Sequence, residues 1–173
     1  MTPYDTLPAF DPHTGLVNAV IDTPKGSNGK YKLDEATGLF RLSKNLPLGA
    51  AFPYNFGFIP GTRGEDGDAV DVLTLMDEPV VLGAIVPLRL IGVLKARQTE
   101  RDGRVVRNDR LLGVLETQYN PPEVNDISGL HPHRLAEIEH FFKSYNQMEG
   151  RVFEPIGRDG AQAALDIVKA SLL

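Results

Sequence analysis

The chain has 173 residues with 42% hydrophobic content, enough for one domain with a real core and ordinary for a globular protein. Its 18 Lys plus Arg against 23 Asp plus Glu leave a net charge of -5, which disfavours broad nucleic-acid or anionic-membrane binding and leaves room only for a local basic pocket. Cysteine is absent, which excludes disulfides, thiolate chemistry and Cys-based zinc sites; no apolar run approaches the ~18 residues of a membrane span, and the Met-Thr-Pro-Tyr-Asp start carries no secretory signal, so a cytoplasmic protein is expected.

Along the chain, Leu16 to Thr23 reads as a strand, Pro24 to Gly29 as a turn and Lys30 to Asp34 as the next strand. Phe40 to Leu42, Phe56 to Ile59, Val70 to Met76 and Ile85 to Ala96 continue the series with β-branched and large apolar residues. Gln98 to Arg101 and Arg104 to Arg107 flank Asp102-Gly103, a favoured two-residue hairpin turn, and Leu111 to Glu116 adds another strand. Helical period begins late: Leu135, Ile138, Phe142 and Tyr145 recur at three- and four-residue steps between Pro132 and Met148. A short strand from Val152 to Ile156 follows, and Asp159 is placed to cap a last helix that turns Ala163, Ile167 and Val168 inward. Many short strands closed by two helices imply a small β-barrel with helices packed outside, as a single domain over residues 1–173.

The segment Glu65-Asp66-Gly67-Asp68-Ala69-Val70-Asp71 places four carboxylates within seven residues, just before an expected strand. Like charges a few Å apart repel by roughly 1 kcal/mol per pair in water and by about 4 near a protein surface. A divalent cation relieves that repulsion, and closely spaced Asp oxygens are ligands that Mg2+ prefers. In an extended strand Asp66 and Asp68 share a face and Asp71 points away, so convergence of all three requires a bend, which Gly67 permits. The spacing is not that of an EF-hand, because Val70 and Asp71 fall where an oxygen ligand and a glycine are needed. His131 and His133, with Pro132 between them, read as a turn and not as a metal pair.

Asp66 to Leu73 resembles the Asp-x-Asp-x-x-Asp signature of the soluble family I inorganic pyrophosphatases, and the resemblance extends over roughly residues 15 to 170. Val20-Ile21-Asp22-Thr23-Pro24 and Lys30-Tyr31-Lys32-Leu33-Asp34 are similar to the family's metal-facing and phosphate-binding strands. Phe52 to Ile59 is similar to its Tyr-Pro-x-Asn-Tyr-Gly-Tyr-Ile segment, and Gly92 to Lys95 and His140 to Tyr145 match in order and spacing. The resemblance implies a mainly β, α+β fold, a five-stranded OB-like barrel with flanking C-terminal helices, in a homo-oligomer that is usually a hexamer in bacterial members. It implies Mg2+, or Mn2+ in its place, held by Asp66, Asp68 and Asp71 with help from Asp22 and Asn108. Asp68 would also accept the proton of the attacking water, and Lys30, Lys44, Arg110 and Tyr145 would contact the phosphates.

Several positions depart from the family pattern. Asp22 and Lys32 stand where it has Glu, Lys44 where it has Arg, Phe52 and Phe56 where it has Tyr, and Asn146 where it has Lys. In the acidic hairpin Gln98 and Asn108 replace Asp ligands and Arg110 a Lys; Asp102 or Asp109 would restore an acid if the longer hairpin shifts register. The sum is fewer carboxylates with similar or greater positive charge, a pocket shifted from metals towards phosphate. The expected activity is hydrolysis of pyrophosphate to two orthophosphates. The rivals are a divergent homologue acting on another phosphoanhydride or phosphate ester, and a module that binds without turnover. The bound partner in that last case would be a phosphate compound, or single-stranded nucleic acid stacked on Tyr54, Phe56 and Phe58; the acidic charge balance and clustered Asp residues speak against the nucleic acid.

Overall fold

The structure, a computed structural model, describes Tyr4 and residues 6–173; the reading of the N-terminal start rests on residues 1–5, most of which lie outside that set. The expected strands are present with boundaries shifted by a few residues: β1 (Val17–Thr23), β2 (Gly29–Asp34), β3 (Leu39–Asn45), β4 (Asn55–Phe58), β5 (Asp71–Thr74), β6 (Ile85–Thr99), β7 (Val105–Arg107), β8 (Arg110–Leu115) and β9 (Val152–Gly160). Two α-helices follow the late periodic segments, α1 (Pro132–Gln147) and α2 (Ala161–Ala170). Among the described residues no helix is long and apolar enough to cross a membrane.

The pairings run in a closed ring of five strands. β1 lies antiparallel to β4 and β4 to β5; β5 runs parallel to β8, β8 antiparallel to β6, and β6 returns to β1 with Val17 opposite Leu88. β7 and β9 extend the far end of β6, while β2 and β3 form a separate ribbon. Neighbouring residues on one strand feed two cores. Val72, Leu111 and Val93 join the cluster under α2 that holds Ala164 and Val168, whereas Leu73, Leu112 and Leu94 join the cluster under α1 that holds Ile138 and Phe142. A strand buried on both faces needs apolar residues at successive positions, which is why these segments read as runs and not as alternations. The result is the α+β barrel with helices outside that the pattern implies.

Three local expectations are corrected. The β6–β7 hairpin turns through Arg101, Asp102 and Gly103: the Glu100 N–H bonds to the Arg104 carbonyl, the Gly103 N–H to the Glu100 carbonyl, and Gly103 has φ 86°. A two-residue type I′ turn would need Asp102 at positive φ, and no described non-glycine residue adopts it. β9 runs past Pro155 and Gly157 because it is an edge strand that bulges there, Lys95 pairing with Gly157 and Ala96 with Pro155. Asp159 pairs with Lys95 instead of capping α2. The Ala161 N–H is met at 3.0 Å by Asp126, which also accepts the Ser128 N–H at 3.0 Å at the start of a short 3-10 helix, Ile127–Gly129, and so serves two helix starts at once.

Candidate active site

Between β4 and β5 the chain leaves and re-enters the sheet through a loop whose neck is closed by the Ile59 N–H to Val70 carbonyl bond at 2.9 Å. The Thr62 hydroxyl donates to the Ile59 carbonyl at 2.6 Å and accepts from the Val70 N–H at 3.0 Å. Further out, the Gly64 N–H bonds to the Asp68 carbonyl at 2.8 Å, and Gly67 takes φ 89°. This is the bend the acidic spacing requires. The loop base is also clamped from the far end of the chain: the Arg63 N–H bonds to the Ser171 carbonyl and the Leu173 N–H to the Gly61 carbonyl.

The loop forms one wall of a cavity of about 540 Å³, and all nine residues singled out from the sequence line it: Asp22, Lys30, Lys44, Asp66, Asp68, Asp71, Asn108, Arg110 and Tyr145. Carboxylates and cations meet there in pairs. Lys30 Nζ lies 2.8 Å from Asp22 with both side chains enclosed, and sits 4.0 Å above the Phe56 ring. Arg110 lies 2.5 Å from Asp71, Lys32 lies 3.3 Å from Asp68 at the exposed mouth, and Lys44 bonds to Glu149. Burial dominates the titration of the floor: it pushes the Asp22 carboxyl up and the Lys30 ammonium down, with each charge held by the other. Burial also lowers Lys44, against the pull of Glu149, and raises the Tyr145 phenol far above its usual range, so Tyr145 keeps its O–H.

Asp66 reports how the acids converge. Burial raises its carboxyl above the usual range, and the nearby charges of Asp71 and Asp68 add to that rise, while the Asp68 N–H at 3.2 Å opposes it. Like charges that destabilise one another are relieved by a shared cation. Among the described residues no three His, Cys, Asp or Glu side chains are gathered into a closed cage. The donor set instead fits the open kind of Mg2+ site, where one or two carboxylates hold the ion and water and substrate oxygens complete its shell.

The hairpin differs from either expectation for its missing acids. Asp102 pairs with Arg104 at the turn, and the Asp109 carboxylate accepts the Ala96 N–H at 3.0 Å and Arg107 Nε at 2.6 Å. Glu100 and Glu149, which sequence reasoning missed, do line the cavity, and Arg151 lies 2.9 Å from the first and 3.4 Å from the second. Both had a local signal: Glu100 stands two residues beyond Gln98, and Glu149 one helical turn beyond Tyr145. Elsewhere, His131 caps α1 by accepting the His133 N–H, as a turn reading implies. Phe56 is buried, and the Tyr54 hydroxyl is taken by Arg134. Asn146 is buried with its side chain bonded to the Phe142 carbonyl at 2.9 Å.

A family model described as inorganic pyrophosphatase matches residues 19–173. The chain belongs to the inorganic pyrophosphatase family. Soluble inorganic pyrophosphatase 2 of Chlamydomonas reinhardtii is 40% identical over 171 residues, covering 95% of this chain and 86% of that protein. The inorganic pyrophosphatase of Synechocystis sp. is 36% identical over 163 residues, with 94% and 93% covered. The crystal structure of inorganic pyrophosphatase from Thermus thermophilus superposes with a TM-score of 0.86 at 30% identity, over 97% of this chain and 95% of that one. The pyrophosphatase fold thus accounts for the ring of strands that sets the Asp66–Asp71 loop opposite Lys30.

Proposed function

We propose that the chain hydrolyses inorganic pyrophosphate to two orthophosphates with the help of a divalent cation, Mg2+ or Mn2+. The observation that carries this reading is the single cavity in which Asp66, Asp68 and Asp71 face Lys30, Lys44, Arg110 and Tyr145. Carboxylates along one wall suit a hard cation held through one or two of them with water and substrate oxygens completing its shell, and a cationic wall opposite suits a polyanion. When bound, the cation supplies a lowered pKa for the attacking water and offsets charge on the phosphoryl oxygens.

The chain's own groups divide the remaining work. The new bond joins the water oxygen to one phosphorus, the bridging P–O bond breaks, and the water proton passes to the Asp68 carboxylate at the cavity mouth. Lys30 and Lys44 hold phosphate oxygens by charge, and Tyr145 donates its retained O–H. Arg110 adds a fixed positive charge behind them. Orthophosphate release from pyrophosphate with Mg2+ or Mn2+ tests the reading, with nucleoside triphosphates and sugar phosphates as competing substrates. Asp68→Asn is expected to lower the rate by roughly 10²–10⁴, the usual contribution of a positioned proton acceptor. Equal rates for the two proteins remove Asp68 from that role.

A further inference from the structure

Arg110 is the most enclosed cation on the Asp71 side of the cavity. Only 4% of it is exposed, and its guanidinium lies 5.0 Å from the Phe142 ring centre, 5.6 Å from Phe153 and 5.8 Å from Phe56. It is the first residue of β8, so the sheet fixes where its stem begins. A single nitrogen, Nη1, lies 2.5 Å from the Asp71 carboxylate and also donates to the Asn108 amide oxygen. Behind Asn108 runs a chain with one direction: Asn108 Nδ2 donates to Gln98 Oε1 at 3.0 Å, and Gln98 Nε2 donates to Glu100 Oε1 at 2.5 Å. Glu100 can only accept and Arg110 can only donate, so each amide must turn its oxygen towards Arg110 and its NH2 towards Glu100.

We infer that Arg110 is a resident cation of the site, occupying the position between Asp71 and Asn108 that an exchangeable divalent ion would otherwise take. The inference rests on the pyrophosphatase reading for its consequence, which is that this chain works with one fewer bound metal than its carboxylates and amides would allow. The oxygen that Asn108 turns towards the cavity is committed to the guanidinium, and the Gln98 oxygen to Asn108. A divalent ion placed there would face the guanidinium charge in a poorly hydrated pocket, where like charges repel strongly. A guanidinium serves this place better than an ammonium. It stacks among aromatic rings, is weakly hydrated and stays charged when buried.

The test is a count of Mn2+ bound per chain in the absence of substrate, by electron paramagnetic resonance of the free ion, with folding checked by circular dichroism. Arg110→Gln is expected to bind one more Mn2+ than the unaltered chain, and Arg110→Gln with Asn108→Asp to bind that ion at least tenfold tighter. Asn108→Asp alone, which keeps the guanidinium, is expected to leave the count unchanged. A folded Arg110→Gln chain with no added ion, or an added ion in Asn108→Asp alone, overturns the inference. If Arg110→Gln does not fold, Asn108→Asp decides by the same count. Because the count needs no turnover, an absence of pyrophosphate hydrolysis would sink the proposed activity and leave this result readable.

Discussion

Lys30 and Asp22 meet at 2.8 Å on the cavity floor, with side chains 6% and 9% exposed. A buried pair of this kind adds little net stability over apolar residues, yet losing one partner strands the other in a medium that penalises charge. Lys30→Met is therefore expected to cost about 3 kcal/mol, read as a lower denaturant midpoint in an equilibrium unfolding titration. A loss under ~1 kcal/mol would mean that water reaches Asp22. Lys30 was legible as a site residue through the family resemblance and not through its own surroundings in sequence. By itself it reads as one of several surface cations of the β2–β3 ribbon, beside Lys32, Arg41 and Lys44, and only the likeness of Lys30-Tyr31-Lys32-Leu33-Asp34 to the family's phosphate-binding strand singles it out. Its partner was not legible, since eight residues and a turn separate it from Asp22.

At the scale of elements, β1 and β4 approach so closely that only glycine fits at position 57. A Cβ there would lie 2.2 Å from the Val20 carbonyl oxygen and 3.1 Å from the Ile21 Cα, neither of which can yield without parting the strands. Gly57→Ala is expected to cost at least ~3 kcal/mol and to loosen the loop that carries Asp66 and Asp68, seen as faster amide exchange at Val70. Asp126 joins two other elements. The Ser128 and Ala161 N–H groups hold its carboxyl below the usual range. A folded-state pKa below the unfolded value gives stability that is present above about 3.8 and lost as pH falls through the folded value. Asp126→Asn is thus expected to lower stability at pH 7 and to flatten its fall between pH 4 and pH 2, checked by urea midpoints across that range. No local pattern marks Asp126 as this cap, because the helix it serves begins 35 residues later. Asp159 has the right type and place in sequence, but β9 continues through it and Lys95 claims its carboxylate.

For the molecule as a whole, the acidic loop is held at its neck by the barrel and at its base by the last residues of the chain, so ion binding and global stability are linked. A cation that binds only the folded form adds about 2.7 kcal/mol at a free concentration 100 times its dissociation constant. Mg2+ is therefore expected to raise the thermal midpoint by about 5–10 °C for a chain of this size, and a chelator to reverse the shift. Asp66→Ala should abolish most of that gain; an undiminished gain would place the ion elsewhere.

Charge spacing from Asp66 to Asp71, the runs from Val17 and Ile85, and the helical period from Leu135 to Tyr145 belonged to the sequence alone. Each depends on side-chain directions set within a few residues by the backbone. The tertiary structure decided which charges meet: Arg110 with Asp71, Lys44 with Glu149 105 residues away, and Glu100 in place of Asp102 or Asp109. Those pairings depend on how far a strand bulges and where a hairpin turns. A one-residue difference in either moves a carboxylate to the opposite face, and no local periodicity records it.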